Sequence, residues 1–252
     1  MPVLVDTTPA GRWQLSAESV EAAWGPRTRG VLLASPSNPT GTSIDPAEMG
    51  RIVGAVRARG GFAIVDEIYL PLSYDARYGS SALAHAGPGG DGLVSINSFS
   101  KYFCMTGWRL GWMVVPDAML PAVEKLAQNL YICASAIAQQ AALACFEPES
   151  IAEYERRRAE FRARRDFFVP ALDRLGITVT VPPDGAFYAW ADCSAHAESS
   201  WDFCFDMMRR AHVAFTPGRD FGRATAERHV RFSYASSIAH LETAVERLAA
   251  AL

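Results

Sequence analysis

The residues best equipped for chemistry lie between Ser95 and Trp112, in the run Ser-Ile-Asn-Ser-Phe-Ser-Lys-Tyr-Phe-Cys-Met-Thr-Gly-Trp-Arg-Leu-Gly-Trp. Ser98 and Ser100 stand just before Lys101, and Arg109 follows eight residues later inside Gly-Trp-Arg-Leu-Gly. A primary amine beside hydroxyls and a guanidinium suits a site that bonds covalently through nitrogen and holds a phosphate next to it. The chain has only two lysines, Lys101 and Lys125, against 22 arginines. Arginine cannot form a Schiff base, because its guanidinium stays protonated. A lysine kept among so many arginines is therefore suggestive of amine chemistry at Lys101, although lysine also occurs without such a role.

Buried strands with polar residues at their ends must position such a site. An apolar run at 31–34 leads to Asn38, one at 62–65 to Asp66 and Tyr69, and one at 93–96 to Ser98, Ser100 and Lys101. In open α/β sheets the ligand crevice lies beyond the carboxyl ends of the strands, so these clusters are expected to converge there. Taken singly each has a plainer reading. Asn38-Pro39-Thr40-Gly41 makes an ordinary turn, and Asp66, Ser98 and Ser100 make helix caps. Order and strand-end placement together favour a site.

Four motifs now stand in order: Ser-Asn-Pro-Thr-Gly at 37–41, Asp-Glu-Ile-Tyr at 66–69, Ser-Phe-Ser-Lys at 98–101 with Gly-Trp-Arg-Leu-Gly at 107–111, and Val-Arg-Phe-Ser at 230–233. In this the chain resembles the class I/II aminotransferase family of fold-type I pyridoxal 5'-phosphate (PLP) enzymes, over essentially its whole length. The resemblance implies that Lys101 forms the cofactor Schiff base and shuttles a proton. It implies that Asp66 pairs with the pyridine nitrogen, and that Tyr69 and Asn38 bond the phenolate oxygen. Ser98, Ser100 and Arg109 would hold the phosphate. Arg231 would clamp the substrate α-carboxylate, with Asn38 also on the substrate side; without the motif, Arg231 reads as a surface strand residue in an ion pair. Residues 185–188 would line the substrate side, Tyr188 as wall rather than catalyst.

The same resemblance implies a PLP-dependent aminotransferase that moves an amino group between an amino acid and a 2-oxo acid, working as a homodimer. The motifs do not separate this from another PLP reaction on the fold, such as a Cβ–S lyase. The family match starts near Pro2, so the large domain is expected to be incomplete at its N-terminus, and an inactive truncated homologue is a further alternative.

The expected fold class is α/β, a mostly parallel sheet covered by helices on both faces, followed by a smaller α+β domain, with the division at 1–165 and 166–252. Helices are expected at 16–24, capped by Ser16, at 45–59, across much of 117–147, at 149–175 with an interruption at Pro170, at 200–211, and from 237 onward. Strands are expected at 31–34, 62–65, 93–96, 111–115, 177–181, 186–190, 213–215 and 229–234.

The 252 residues are half hydrophobic and carry a formal charge of −3. That balance argues against nucleic-acid binding. The arginines at 156–158, 162, 164 and 165 interleave with Glu153, Glu155 and Glu160 as on a solvated helix face. No stretch is apolar for the roughly 20 residues a bilayer span needs. No secretory signal is visible, and five scattered cysteines without a C-x-x-C read as reduced thiols, so a cytoplasmic protein is expected. The five histidines form no ligand-spaced pair, and no metal is expected.

Overall fold

The computed structural model describes residues 1–252 and divides them into two compact units. The first comprises Met1–Val5, Gln14–Pro36 and Ser43–Arg158; the second comprises Asp6–Trp13, Ser37–Thr42 and Ala159–Leu252.

In the first unit, helix α1 (Ala17–Ala22) is opened by Ser16, which accepts from the Ser19 backbone while Ser19 returns the bond. This reciprocal cap satisfies two N–H groups that a helix start otherwise leaves bare. Strand β1 (Gly30–Ala34) follows, then helix α2 (Pro46–Ala58), capped by Asp45 with proline at its first position. Met49, Ile52, Val53 and Val56 recur at helical spacing on α2 and are buried against Val65 and Leu93 of the sheet. Gly60, with φ 66°, ends the turn after α2 in a conformation costly for other residues.

Strands β2 (Phe62–Asp66), β3 (Leu93–Ser98) and β4 (Gly111–Val114) complete a sheet of order β1-β2-β3-β4. The first three run parallel and β4 pairs antiparallel to β3. Register places Val65 beside Ser95 and Asp66 beside Ile96.

Coverage on both faces holds only in the centre of the sheet. All four residues of β4 are exposed, and Leu32 of β1 is 72% exposed. Helices α3 (Leu120–Leu130) and α4 (Ala136–Leu143) follow, and α3 buries none of its residues. Helix α5 (Pro148–Arg174) begins in the first unit and continues into the second. It does not break at Pro170 as expected. The proline removes a hydrogen bond, but the burial of Phe168, Val169, Ala171 and Leu172 around it holds the helix together.

The second unit holds an antiparallel sheet of β5 (Tyr188–Asp192), β6 (Thr216–Pro217) and β7 (His229–Ser233), in the order β5-β7-β6, with helices α6 (Ser200–Arg210) and α7 (Ile238–Ala251). The strand expected at 177–181 is not formed. Only Thr178 bridges to Asp192, and the next N–H, that of Val179, goes to Asp173 Oδ1 at 2.8 Å. Ile177, Val179 and Val181 are still buried in alternation, so the period was real although the ladder is absent. The strand expected at 213–215 lies instead at 216–217, and Phe215 packs on Phe232 with ring centroids 4.4 Å apart.

Candidate active site

Lys101 sits in a tight turn directly after β3. The Phe99 N–H donates to Leu110 O at 3.1 Å, the Met105 N–H to Phe99 O at 3.0 Å, and the Cys104 N–H to Lys101 O at 3.1 Å. Thr106 Oγ1 closes the turn by donating to Ser100 O at 2.5 Å. Phe99, Phe103 and Met105 anchor it in a cluster with Ala142 and Cys145. Phe99, Phe103 and Met105 are buried in this turn, and Lys101 between them is half-buried.

Lys101 Nζ lies 5.6 Å from the centroid of the buried Tyr69 ring, within cation–π range. Asp66, at the end of β2, accepts from the Ile68 N–H at 3.1 Å. Burial pushes the Asp66 carboxyl above its usual range; the bond from Ile68 opposes this, the neighbouring Glu67 adds to it, and the charge of Lys101 also works against it.

Ser98 Oγ accepts from the Ser100 N–H at 3.0 Å inside the turn, and no helix starts there for Ser98 or Ser100 to cap. Arg109 Nη1 donates to Ser100 Oγ at 3.4 Å and to Thr106 O at 2.9 Å. Arg109 itself takes the left-handed conformation, φ 53° and ψ 53°. Two residues on, a Cβ at Gly111 would stand 2.6 Å from Asn97 O, so only glycine lets β4 approach β3 there. Hydroxyls and an exposed guanidinium are thereby gathered on one turn.

In the second unit, Arg231 Nη1 donates to Asn38 Oδ1 at 2.8 Å and Nη2 to Thr216 Oγ1 at 3.3 Å. Its guanidinium carbon stands 4.4 Å from the Tyr188 ring centroid and 4.6 Å from that of Phe221. Arg231 Nε is buried and has no hydrogen-bond partner. The loop Ser37–Thr42 is closed by the Gly41 N–H on Ser37 O at 2.7 Å, and Gly41 O accepts from the N–H groups of Asp184 and Gly185 at 2.8 and 3.0 Å. The surface ion pair considered for Arg231 is not what forms: its partners are neutral and its faces are covered by aromatic rings.

The structure thus gathers Lys101, Asp66, Tyr69, Ser98, Ser100 and Arg109 in the first unit, and Asn38 with Arg231 in the second. Sequence reasoning passed over Phe221 and Thr216, whose one signal was the turn-rich Thr-Pro-Gly at 216–218, and over Glu67, taken only as part of a motif.

Residues 2–248 match the family described as aminotransferase class I and II. The chain belongs to that family. Its members depend on PLP. The chain is 39% identical to the valine–pyruvate aminotransferase of Mycobacterium tuberculosis over 240 residues, 95% of this chain and 61% of that protein. It is 33% identical to the aspartate aminotransferase of Rhizobium meliloti over 264 residues, 99% of this chain and 63% of that protein. Among solved structures, an aminotransferase from Mycobacterium tuberculosis superposes with a TM-score of 0.93 at 38% identity, covering 98% of this chain and 63% of that one. The aromatic aminotransferase from Pyrococcus horikoshii gives a TM-score of 0.92 at 31% identity, with 99% and 66% covered. The chain therefore spans less than two thirds of the curated aminotransferases it matches. The sheet of the first unit, three parallel strands with an antiparallel β4, is the aminotransferase large-domain arrangement in these strands.

Proposed function

We propose that this protein is a PLP-dependent aminotransferase that moves an amino group between an amino acid and a 2-oxo acid. The observation that carries the reading is the Lys101 turn, where one of only two lysines meets Tyr69 and the half-buried Asp66. The donor set fits the cofactor. In the first unit Lys101 offers the amine, Asp66 a carboxylate for the ring nitrogen, Tyr69 a hydrogen-bonding group for the phenolate oxygen, and Ser98, Ser100 and Arg109 donors for the phosphate. When bound, PLP supplies an electron sink for the charge left when a substrate Cα–H is broken.

The chain's own groups do the rest. The Lys101 Nζ amine would take and hold the proton leaving substrate Cα. The Asp66 carboxylate would face the ring nitrogen and favour a proton there. Arg231, with its open Nε and its neutral partners, binds the substrate α-carboxylate in a charge-assisted bond. The rings of Tyr188 and Phe221 lie against that guanidinium and orient it.

The donor and acceptor belong to the same proposal. An aliphatic amino acid with pyruvate is the first pair to test, on the name of the Mycobacterium tuberculosis relative. A homodimer is proposed as well, supported by the exposed apolar residues Trp112, Met113 and Val114 of β4 and Leu126 and Leu130 of α3. A cytoplasmic location is proposed on the five free thiols.

The test is to load the chain with PLP, reduce with borohydride and map the label by mass spectrometry. The expected result is a label on Lys101, absent in Lys101→Ala, followed by conversion of valine and pyruvate to alanine and the 2-oxo acid of valine. Label spread over Lys125 and the N-terminal amine, with none specific to Lys101, overturns the reading.

A further inference from the structure

Glu67 is a carboxylate that the reaction above does not use, and it is only 2% exposed. It accepts from Ser95 Oγ at 2.6 Å, from the Ala82 N–H at 2.6 Å and from Ser81 Oγ at 2.8 Å. Ser95, fully buried, accepts in turn from Asn97 Nδ2 at 2.8 Å. All of these partners are neutral. A buried carboxylate without a cation is costly, and neutral donors only partly offset that cost. A glutamine would fill the same space and bind most of the same donors without the charge. The charge itself therefore asks for an explanation.

Strand geometry supplies one. Side chains alternate along β2 and its continuation, where the Glu67 N–H still bonds Ile96 O at 2.8 Å. Val65, Ser95, Glu67 and Asn97 share the sheet face that packs on α2, while Asp66 lies on the opposite face with Lys101. Glu67 is thus bolted through the back of the sheet directly behind Asp66, and its hydrogen bonds fix the backbone from which Asp66 projects. Besides Asp66, the titratable groups near it are His85 and Tyr78, which border a cavity of about 10 Å³ beside it, one water in size. On the far face, Lys101 and Tyr69 are the groups near Asp66.

We propose that Glu67 is a positioning residue that acts through Asp66: its fixed charge behind β2 holds Asp66 in place and adds the negative potential that favours a proton at the cofactor ring nitrogen. This rests on the aminotransferase reading for its purpose, though not for its test. Glu67 already contributes to the upward shift of the Asp66 carboxyl, after burial. Removing the Glu67 charge must therefore move Asp66 the other way.

The experiment follows the Asp66 side-chain carboxyl carbon by NMR in the full chain without cofactor, assigned by its loss in Asp66→Asn. In Glu67→Gln the Asp66 titration midpoint is expected to move down, and the dissociation constant for added PLP to rise. An Asp66 midpoint that stays or moves up in Glu67→Gln overturns the inference. Ser81→Ala keeps the test open if Glu67→Gln does not fold. It removes one donor and leaves the charge, so the midpoint is expected to rise or hold, and a fall overturns the inference equally. Failure of Lys101 to take the PLP label would sink the proposed function, while the NMR result would still decide whether Glu67 acts on Asp66.

Discussion

Gly41 offers the sharpest test of how Asn38 is kept on Arg231. It sits at φ 67°, and a Cβ there would stand 2.5 Å from Pro183 Cβ and 2.9 Å from Tyr188 O. Gly41→Ala therefore meets two penalties at once. The left-handed backbone costs about 1–2 kcal/mol for an L side chain. Forcing a methyl against a ring and a carbonyl costs about 1–3 kcal/mol more. Neither neighbour is the far end of a flexible chain, so the loop itself must move, and the Gly41 O bonds to Asp184 and Gly185 go with it. At about 2–4 °C per kcal/mol for a protein of this size, the combined loss lowers Tm by roughly 5–15 °C. The control is Gly54→Ala in α2, where nothing lies within 4 Å of the added methyl. There the helix gains roughly 0.5–1 kcal/mol, because alanine has less backbone freedom to lose. Circular dichroism melts of the two variants and the parent decide the matter. In the PLP-loaded protein, Gly41→Ala should also raise KM for the amino acid, since Asn38 leaves Arg231. A Gly41→Ala protein that melts within a degree of the parent refutes the argument for a clamped loop.

Two further outcomes follow from the charged groups. Burial places Asp66 above its usual value of 3.8, so its ionised form costs stability that is absent below that value and felt as pH rises through the folded pKa. Asp66→Asn should accordingly raise Tm at pH 7 and give progressively less gain as the pH approaches 4, while abolishing transamination; a lower Tm at pH 7 than at pH 4, each relative to the parent, would contradict this. Arg231→Lys keeps the charge but loses the two-pronged contact with Asn38 and Thr216 and the stacking on Tyr188 and Phe221. With about 1.5–3 kcal/mol in a charge-assisted bond, KM for the amino donor should rise roughly tenfold to a hundredfold in initial-rate assays, and an unchanged KM would remove Arg231 from the carboxylate site.

What could be read from the chain was whatever depends on neighbours in sequence. Ser16 and Asp45 announced their helices because a cap acts on residues two or three along. The turn that carries Lys101 was legible because its backbone hydrogen bonds close among residues 99–110, although Ala142 and Cys145, which pack under it, were not. What stayed hidden was assembled from a distance. The donors to Glu67 come from three segments, at 67, 81–82 and 95, and no spacing rule joins them. The rings against Arg231 come from positions 188 and 221. The strand expected at 177–181 had the right period but lost its ladder, because its backbone bonds went to Asp173 and a single bridge, which a period of two cannot foresee.

Five arginines of the second unit meet carboxylates, whereas Arg209 and Arg219 lie, like Arg231, over aromatic rings. Arg12 meets Asp184, Arg164 meets Glu160, Arg165 meets Asp166, Arg210 meets Asp206 and Arg228 meets Asp192. Each of these charges is answered by a carboxylate, and most are exposed enough that the pair adds little to stability. Arg231 lies in the middle of the sheet on β7 and is answered only by an amide oxygen and a hydroxyl. A fold that needed only a packed guanidinium there would gain by pairing it, and a fold that needed only packing would gain by an apolar side chain. Keeping the charge half-buried, sandwiched and with one N–H unanswered is a standing cost to stability. Such a cost is met where an anion arrives from outside, and an amino-acid carboxylate is the anion proposed for it.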